Sequence, residues 1–451
     1  MYSSDIIAAI ATPPGRGGIG IIRISGNNLK EITQQLLGDL PKPRYASLNY
    51  FLDQNHEVID HGIAIYYVAP HSYTGEDVLE LHGHGGPAVI NLLLKRCLAL
   101  GARLAEPGEF TLRAYLNNKI DLVQAESIAD LIDASTAGAA RSALRSLQGK
   151  FSEAIHELVR ALIDLRIQVE AALDFPEEDI DWLETTHLKT QLNQLYEKLE
   201  KVYVSSQRGN LLREGAKIVL IGQPNVGKSS LLNRLAGDEV AIVTEIPGTT
   251  RDAIQQLIQI DGVPLHIIDT AGLRETEDIV EKKGIERTYT AMEQADLALL
   301  LIDSQNELSE ADQNLLSKLP VNLPVLIVFN KIDLLNQPAK SEDKNGYSMI
   351  YLSAKTGVGI DILCEKILTL VGWRSHVAGE GIFMARQRHL QALDQAQRHL
   401  SNAIAWASSG KAIEVLAEEL RLAQYSLSSI VGEFSADDLL GEIFSHFCIG
   451  K

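Results

Sequence analysis

Gly222-Gln223-Pro224-Asn225-Val226-Gly227-Lys228-Ser229 is the stretch on which the reading of this chain turns. The apolar run Lys217-Ile218-Val219-Leu220-Ile221 precedes it, and the helix-compatible Ser230-Leu231-Leu232-Asn233-Arg234-Leu235 comes after it. Strand, glycine loop, Lys-Ser and helix is the layout that cradles a nucleotide's phosphates. Backbone N–H groups and the helix N-terminus supply positive potential, Lys228 adds a full charge, and Ser229 can ligate Mg²⁺. Asn225, Val226, Gly227, Lys228, Ser229 and Ser230 are therefore the first candidate contacts. The pattern is short, so its weight depends on the residues downstream of it.

Four further elements occur there in the right order. Pro247-Gly248-Thr249-Thr250-Arg251-Asp252 supplies hydroxyls for Mg²⁺ and a γ-phosphate. Leu265-His266-Ile267-Ile268-Asp269-Thr270-Ala271-Gly272 reads as a buried strand ending in a carboxylate suited to a Mg²⁺-bound water, with a glycine N–H for the γ-phosphate. Val325 to Phe329 is a second buried strand, and Asn330-Lys331-Ile332-Asp333 succeeds it. Asp333 can accept two hydrogen bonds from guanine's N1–H and 2-amino group. Adenine lacks that edge and would leave the carboxylate buried and unpaired. Tyr351-Leu352-Ser353-Ala354-Lys355 ends a further strand and can offer a backbone N–H to the guanine oxygen. Five ordered elements on alternating strands and helices imply a domain that binds and hydrolyses GTP.

The hydrolytic apparatus is less ordinary. After Asp269-Thr270-Ala271-Gly272 comes Leu273, where many small GTPases place a water-orienting glutamine. Leucine cannot hydrogen-bond water. Asp278, Glu281 and Glu286 lie just beyond, and any of them could orient the water or lie on a solvated acidic face. Arg251 and Arg274 are only neighbours, so no arginine finger is named. A monovalent cation near Asn225 and the carbonyls of Thr244 to Thr249 would supply the same positive charge.

Elsewhere the 451 residues suggest two to four domains, with 45% hydrophobic and 22% charged residues typical of a globular protein. The net charge of −18 argues against a broad basic surface gripping nucleic acid by charge alone. No apolar run has the length of a membrane span, the N-terminus lacks a signal peptide's regions, and Cys97, Cys364 and Cys448 are scattered. These features point to a reduced, cytoplasmic setting away from membranes.

Residues 1–118 read as an α+β domain, with strands over Ile19–Ile24 and Gly62–Val68, a helix from Ala88 to Leu100, and two glycine-rich stretches. His82 and His84 alternate as strand neighbours do, but only Glu80 offers a third ligand, so they read as polar residues of a glycine loop. Helical periodicity takes over from Leu122 to Asp174 (Ile155, Leu158, Leu162, Leu165, Val169) and from Leu188 to Ser205. It returns over Ala385–Ala407 and Lys411–Val431, with a short helix expected over Asp437–His446. The economical arrangement is a nucleotide domain of residues 213–373 inserted into a helical domain of residues 119–212 and 374–451. The expected fold is thus α/β and α multidomain: an N-terminal α+β domain, a helical bundle, and an inserted Ras-like phosphate-loop domain.

Three stretches outside the nucleotide domain sharpen the comparison: Ile10-Ala11-Thr12-Pro13-Pro14-Gly15-Arg16-Gly17-Gly18, Tyr73-Thr74-Gly75-Glu76-Asp77 and Phe447-Cys448-Ile449-Gly450-Lys451. With Gly222–Ser229, Pro247–Asp252, Asp269-Thr270-Ala271-Gly272-Leu273-Arg274-Glu275 and Asn330–Asp333, they resemble the MnmE (TrmE) family of tRNA modification GTPases, within the TrmE-Era-EngA-like bacterial group, along essentially the whole chain.

The resemblance implies a folate-binding N-terminal domain that carries a tetrahydrofolate one-carbon unit (5,10-methylene or 5-formyl) and forms a homodimer. It implies an FAD-dependent partner, MnmG, in a heterotetramer-like complex, and transfer of an aminomethyl-type group to C5 of the wobble uridine of certain tRNAs. Carried over position by position, Arg23, Glu80, Lys119 and Lys451 would hold the folate. Asn225, Thr244, Ile246 and Thr249 would hold K⁺, Ser229 and Thr250 Mg²⁺, and Glu281 would orient the water. Glu245, Pro247 and Gly248 would complete the nucleotide contacts with Thr270, Ala271, Gly272 and the Asn330-Lys331, Asp333 and Ser353-Ala354-Lys355 groups. Arg23 and Lys119 suit a folate's glutamate tail and Glu80 its pterin-like ring, although each alone reads as an ordinary surface charge. Cys448 superficially fits a prenylation box, but Gly450 and Lys451 do not, so anchoring is rejected. Near the folate it would be a candidate active thiol. The competing reading is a GTP-switched ribosome or RNA assembly factor, for which a second phosphate loop or basic tail would be expected.

Overall fold

The structure is a computed structural model of the chain and describes residues 5–174, 185–237, 255–269, 292–344, 346–373, 381–409, 413–432, 443, 447, 448 and 450. Two compact units are distinguished: Met1–Ala129 with Leu147–Arg166 and Arg421–Lys451, and Asp130–Ser146 with Ile167–Leu420.

The first unit is built on strands β1 (Ile7–Ile10), β2 (Gly20–Gly26), β3 (Ser47–Leu52), β4 (Val58–Tyr67), β5 (Asp77–Gly83) and β6 (Arg103–Leu104). Their order is β3-β4-β5-β2-β1-β6, with all pairs antiparallel except β1–β6. Because side chains alternate across a strand, Ile22 and Ile24 face one side with Phe51, Leu79 and Leu81, beneath Leu36 of α1 (Lys30–Leu37) and Leu93 of α2 (Pro87–Ala99). Arg23 falls on the other side, directly across from Glu80. Part of that side is covered by α3 (Glu109–Leu116), whose Phe110 packs with Ile7, Ala9, Ala105 and Tyr73. Arg23 and Glu80 therefore share the sheet face that α3 borders.

Helices α4 (Leu122–Asp133), α5 (Ala137–Leu147) and α6 (Lys150–Asp174) divide the expected long helical stretch into three. At the N-terminus of α4 Asp121 and Gln124 cap each other's backbone N–H reciprocally at 2.8 and 3.0 Å, a signal that fixes where the helix begins. The expected stripe on α6 is buried, from Ile155 at 0% to Leu165 at 4% exposure. Near the C-terminus, Ile443 and Phe447 join Leu112, Leu122 and Ala125 in a small core.

In the second unit α7 (Thr185–Glu214) runs past the expected end at Ser205. Its Gly209 lies where a Cβ would collide with the Phe383 backbone, so this glycine serves close packing and does not end the helix. Gly215 alone separates α7 from β7 (Ala216–Gly222). Then come α8 (Lys228–Gly237), β8 (Gln255–Ile260), β9 (Val263–Asp269), β10 (Leu297–Asp303), α9 (Glu310–Ser317), β11 (Val325–Asn330), β12 (Lys340–Lys344), β13 (Tyr347–Tyr351) and α10 (Ile360–Leu370). Helix α11 (Gln387–Ser409) follows in this unit, and α12 (Ile413–Val431) has its first residues here and those from Arg421 onward in the first.

The sheet order is β12-β13-β11-β10-β7-β9-β8, parallel except for the antiparallel edge strands β12 and β8. The central strands are buried on both faces, as parallel strands require. Ile218, Leu220, Leu299 and Val328 belong to one core, and Val219, Ile221, Leu300 and Ile327 to the other. Each such side chain contributes about 2 kcal/mol of hydrophobic burial. The edge strand β12, Lys340-Ser341-Glu342-Asp343-Lys344, is charged, which discourages strand addition. Gly215, just before β7, and Gly372, just after α10, line one cavity of about 480 Å³. Among the described residues, no helix is long and apolar enough to cross a membrane.

Candidate nucleotide site and a second cavity

The phosphate loop comes after β7, the strand between β10 and β9, so it emerges at the carboxyl ends of parallel strands where ligands of such sheets bind. Asn225 takes left-handed backbone, φ +62°, and Lys228 opens α8. The Lys228 ammonium donates to the Gly222 and Gln223 carbonyls at 2.7 and 3.2 Å, so the cation lies over the loop. Val226 is buried beneath it, while Ser229 and Ser230 stand exposed at the helix start.

Asn330 joins this loop to the other strand ends. Its Nδ2 donates to the Val226 carbonyl at 2.9 Å, and its Oδ1 accepts from the Lys331 and Ala354 N–H groups at 2.8 and 2.9 Å. A Cβ on Gly227 would collide with Asn330 Nδ2, so the loop can approach only because this residue is glycine, at φ +101°. Asn330 is 2% exposed, and a buried amide with all three bonds made fixes three segments at once.

Lys331 is left-handed at φ +72° and its Nζ bonds Asp303 at the end of β10, 2.7 Å away. Burial raises the Asp303 carboxyl, but the hydrogen bonds from Lys331 and the Gln305 N–H and the lysine's charge outweigh it and hold it below its ordinary value. Asp333 accepts from the Ser353 hydroxyl at 2.6 Å, and the same hydroxyl accepts from the Thr356 N–H. Arg234 of α8 holds the Ala354 and Lys355 carbonyls at 3.3 and 2.8 Å. Asn330, Lys331, Asp333, Ser353, Ala354 and Lys355 are thus gathered beside the phosphate loop. Asp269 ends β9, the strand beside β7. Thr244, Glu245, Ile246, Pro247, Gly248, Thr249, Thr250, Thr270, Ala271, Gly272 and Glu281 lie outside the described residues, as do Lys451 and most of the expected helix Asp437–His446.

A cavity of about 430 Å³ opens on the first unit, lined by Arg44, Tyr67, His71, Ser72, Tyr73, Val78, Glu80 and Lys119. Glu80 accepts from Arg23 Nε at 2.9 Å, and its other oxygen meets His82 Nε2 at 3.2 Å. The Arg23 guanidinium stands 5.3 Å from the Tyr73 ring centroid and 5.7 Å from that of Phe110, and its Nη1 reaches the Gly450 carbonyl at 3.4 Å. Lys119 Nζ donates to the Pro70 carbonyl at 2.9 Å. Cys448 is exposed, and its carbonyl accepts from the Gly108 N–H at 3.4 Å. Three of the four candidate folate residues therefore meet at one cavity: Glu80 and Lys119 line it, and Arg23 binds Glu80, with the C-terminal tail beside it.

Burial raises the Tyr73 phenol despite the opposing Thr111 bond and Arg23 charge, and burial with the Glu80 charge does the same at Tyr67. Both are neutral hydrogen-bonding walls at physiological pH. His84 turns to Asp60 (2.7 Å) while His82 turns to Glu80, so the two histidines do not converge, and no group suited to a metal ion occurs among the described residues. Asp303, Arg234 and Tyr73 were missed as site residues in the sequence. An aspartate closing the apolar run Leu297–Ile302 was a weak signal for the first, Tyr73 opens the stretch Tyr73–Asp77, and nothing local marked Arg234.

Residues 6–119 match the family model described as GTP-binding protein TrmE N-terminus, and residues 122–448 match the MnmE helical domain. The chain is 66% identical to tRNA modification GTPase MnmE of Nitrosomonas europaea and 65% identical to that of Nitrosomonas eutropha, each over 451 residues covering all of both chains. Among solved structures, the G domain of the T. maritima FeoB iron transporter is 30% identical, over 34% of this chain and 98% of that one, with a TM-score of 0.27.

Proposed function

Because this chain belongs to the MnmE family of tRNA modification GTPases, we propose that it is a K⁺-dependent GTP hydrolase acting in the cytoplasm with an FAD-dependent MnmG partner. Together they add an aminomethyl-type group, drawn from a tetrahydrofolate one-carbon unit, to C5 of the wobble uridine of certain tRNAs. The protein works as a homodimer through its N-terminal domain, residues 1–118. The helical domain comprises residues 119–212 and 374–451, and the GTPase domain residues 213–373.

The observation that carries the guanine reading is the Asn330 clamp, which brings Asp333 and the Ser353–Lys355 turn beside the phosphate loop. Asp333 reads the paired donor edge of guanine, with Ser353 orienting its carboxylate. Lys228 and the loop N–H groups bind and orient the phosphates. The Ser229 hydroxyl at the start of α8 suits Mg²⁺ together with Thr250, and the exposed left-handed Asn225 suits K⁺ with Thr244, Ile246 and Thr249. When bound, these cations supply positive charge that stabilises the phosphates as charge develops. Glu281 orients the attacking water, a task Leu273 cannot perform.

Arg23, Glu80 and Lys119, with Lys451, hold the folate. The cavity's volume and its mixture of carboxylate, ammonium and phenol suit a ring bearing an anionic tail. Cys448 is the nearby thiol available to the modification chemistry.

GTP turnover by the full chain in K⁺ and in Na⁺, with Asn225→Ala alongside, tests the cation reading. K⁺ is expected to raise the rate on the order of a hundredfold, and the variant to lose that gain. Equal, low rates in both salts overturn it.

A further inference from the structure

Of Tyr73-Thr74-Gly75-Glu76-Asp77 only Tyr73 lines a proposed site, yet every residue of the stretch is fixed. The Tyr73 hydroxyl shares a 2.7 Å hydrogen bond with that of Thr111, and Thr74 shares another with Ser25 at the same distance. Gly75 is at φ +81°, where a Cβ would come within 3.0 Å of Asn117 Cβ. Glu76 meets Arg113 Nη1 through both oxygens at 3.1 Å and accepts from Ser25 at 2.8 Å. Asp77 accepts from the Tyr66 hydroxyl at 2.7 Å and the Ala69 N–H at 3.0 Å.

Half of the anchoring residues come from α3 and the turn after it, since Thr111, Arg113 and Asn117 all reach this segment, Asn117 through the Thr74 carbonyl at 2.7 Å. Arg113 is the hub. Its side chain is 8% exposed and outside the cavity lining, and its Nη2 also holds Asp5 and Glu109 at 2.9 Å. The segment it braces, from His71 to Val78, contributes four residues to the cavity wall.

We infer that Arg113, acting through Glu76, is a positioning residue for the tetrahydrofolate cavity: it locks the His71–Val78 wall against α3 so that Tyr73 stands in place under the Arg23 guanidinium. This rests on the folate reading of the cavity. Removing the arginine outright would leave Glu76, Glu109 and Asp5 without their shared cation. Lysine keeps the charge but lacks the planar fork that serves three partners from two nitrogens, so it slackens the wall while retaining the neutralisation.

The test is calorimetric titration of the full chain with 5-formyl-tetrahydrofolate, well below the melting temperature, for the unmodified protein, Arg113→Lys, Glu76→Gln and the pair. Each single variant is expected to bind about tenfold more weakly, as loss of a supporting contact does at other sites. The double variant is expected to lose little more, because both changes break one contact. Amide exchange over Ser72–Asp77 speeds up, and GTP turnover is unchanged. If the unmodified chain does not bind, the folate reading falls and takes this inference with it. If it binds and the variants bind equally well, melt lower at unchanged affinity, or lose affinity additively, only the positioning role is overturned. Should Arg113→Lys fail to fold, Glu76→Gln alone decides by the same measures.

Discussion

The two candidate sites are built in opposite ways. The nucleotide site sits where parallel strands end, so each contribution is a short contiguous word after an apolar strand: Gly222–Ser229 after β7, Asn330–Asp333 after β11, Ser353–Lys355 after β13. The cavity of the first unit is assembled across antiparallel strands and a helix, from Arg23, Glu80, Tyr73 and Lys119. A parallel sheet delivers its strand ends to one edge, so sequence order nearly dictates site geometry. An antiparallel sheet brings side chains together by register, which no local stretch announces.

The sharpest way to break this contrast is to damage one site and watch the other. Lys228→Ala removes the loop's ammonium, and because charge-assisted bonds to phosphate are among the strong ones, nucleotide affinity is expected to fall on the order of a hundredfold. Binding of 5-formyl-tetrahydrofolate should stay the same. Fluorescent-GDP titration beside folate calorimetry measures both. A comparable loss of folate affinity would show that the two sites are not separately built.

Asn330→Ala probes the clamp itself. The change strips a bond from the Val226 carbonyl and orphans the Ala354 N–H, each costing about 1–3 kcal/mol when buried. Nucleotide affinity is expected to drop roughly thirtyfold, with a fall in melting temperature of several degrees. Lys228→Ala should not share that loss of stability, since its ammonium bonds the carbonyls of the loop's own Gly222 and Gln223 and ties no second strand to it through them. Intact stability in Asn330→Ala would mean that the strand ends hold their places without the amide.

What could be read in advance obeys the same division. Phosphate loop, base-reading carboxylate and buried strands were legible because strand, turn and ligand group are contiguous and each has a physical signature. The stripe Ile155 to Val169 was legible because burial tracks its spacing. The far end of α7 was not, because Gly209 resembles a helix breaker until the Phe383 backbone is seen against it. Arg23 and Glu80 looked like ordinary surface charges, and their meeting depends on the register that sets β2 beside β5. Arg113 was invisible for the same reason: of its partners Asp5, Glu76 and Glu109, only Glu109 is near it in the chain.

The smallest expected effect is a pH dependence that separates the two regions through their carboxylates. Burial pushes Glu109 up, but bonds from Arg103, the Glu106 N–H and Arg113, with the arginine's charge, outweigh it and bring it below its ordinary value of 4.5. A carboxyl whose folded pKa is depressed contributes stability above its unfolded value and loses it as pH falls through the folded one. Below about pH 4.5, α3 should therefore loosen progressively, and with it the brace on Glu76. Glu109→Gln should remove part of that slope, leaving α3 less protected at about pH 6 but less sensitive to further acid. Asp303 is lowered in the same sense, yet by one lysine and the Gln305 N–H at a more exposed strand end, so surface screening makes its share smaller. Amide exchange resolved for α3 and for β10–β11, monitored from about pH 6 to about pH 3, measures the two separately. Protection of α3 that does not change across that range in the unmodified protein would mean that the arginines do not hold this helix by charge.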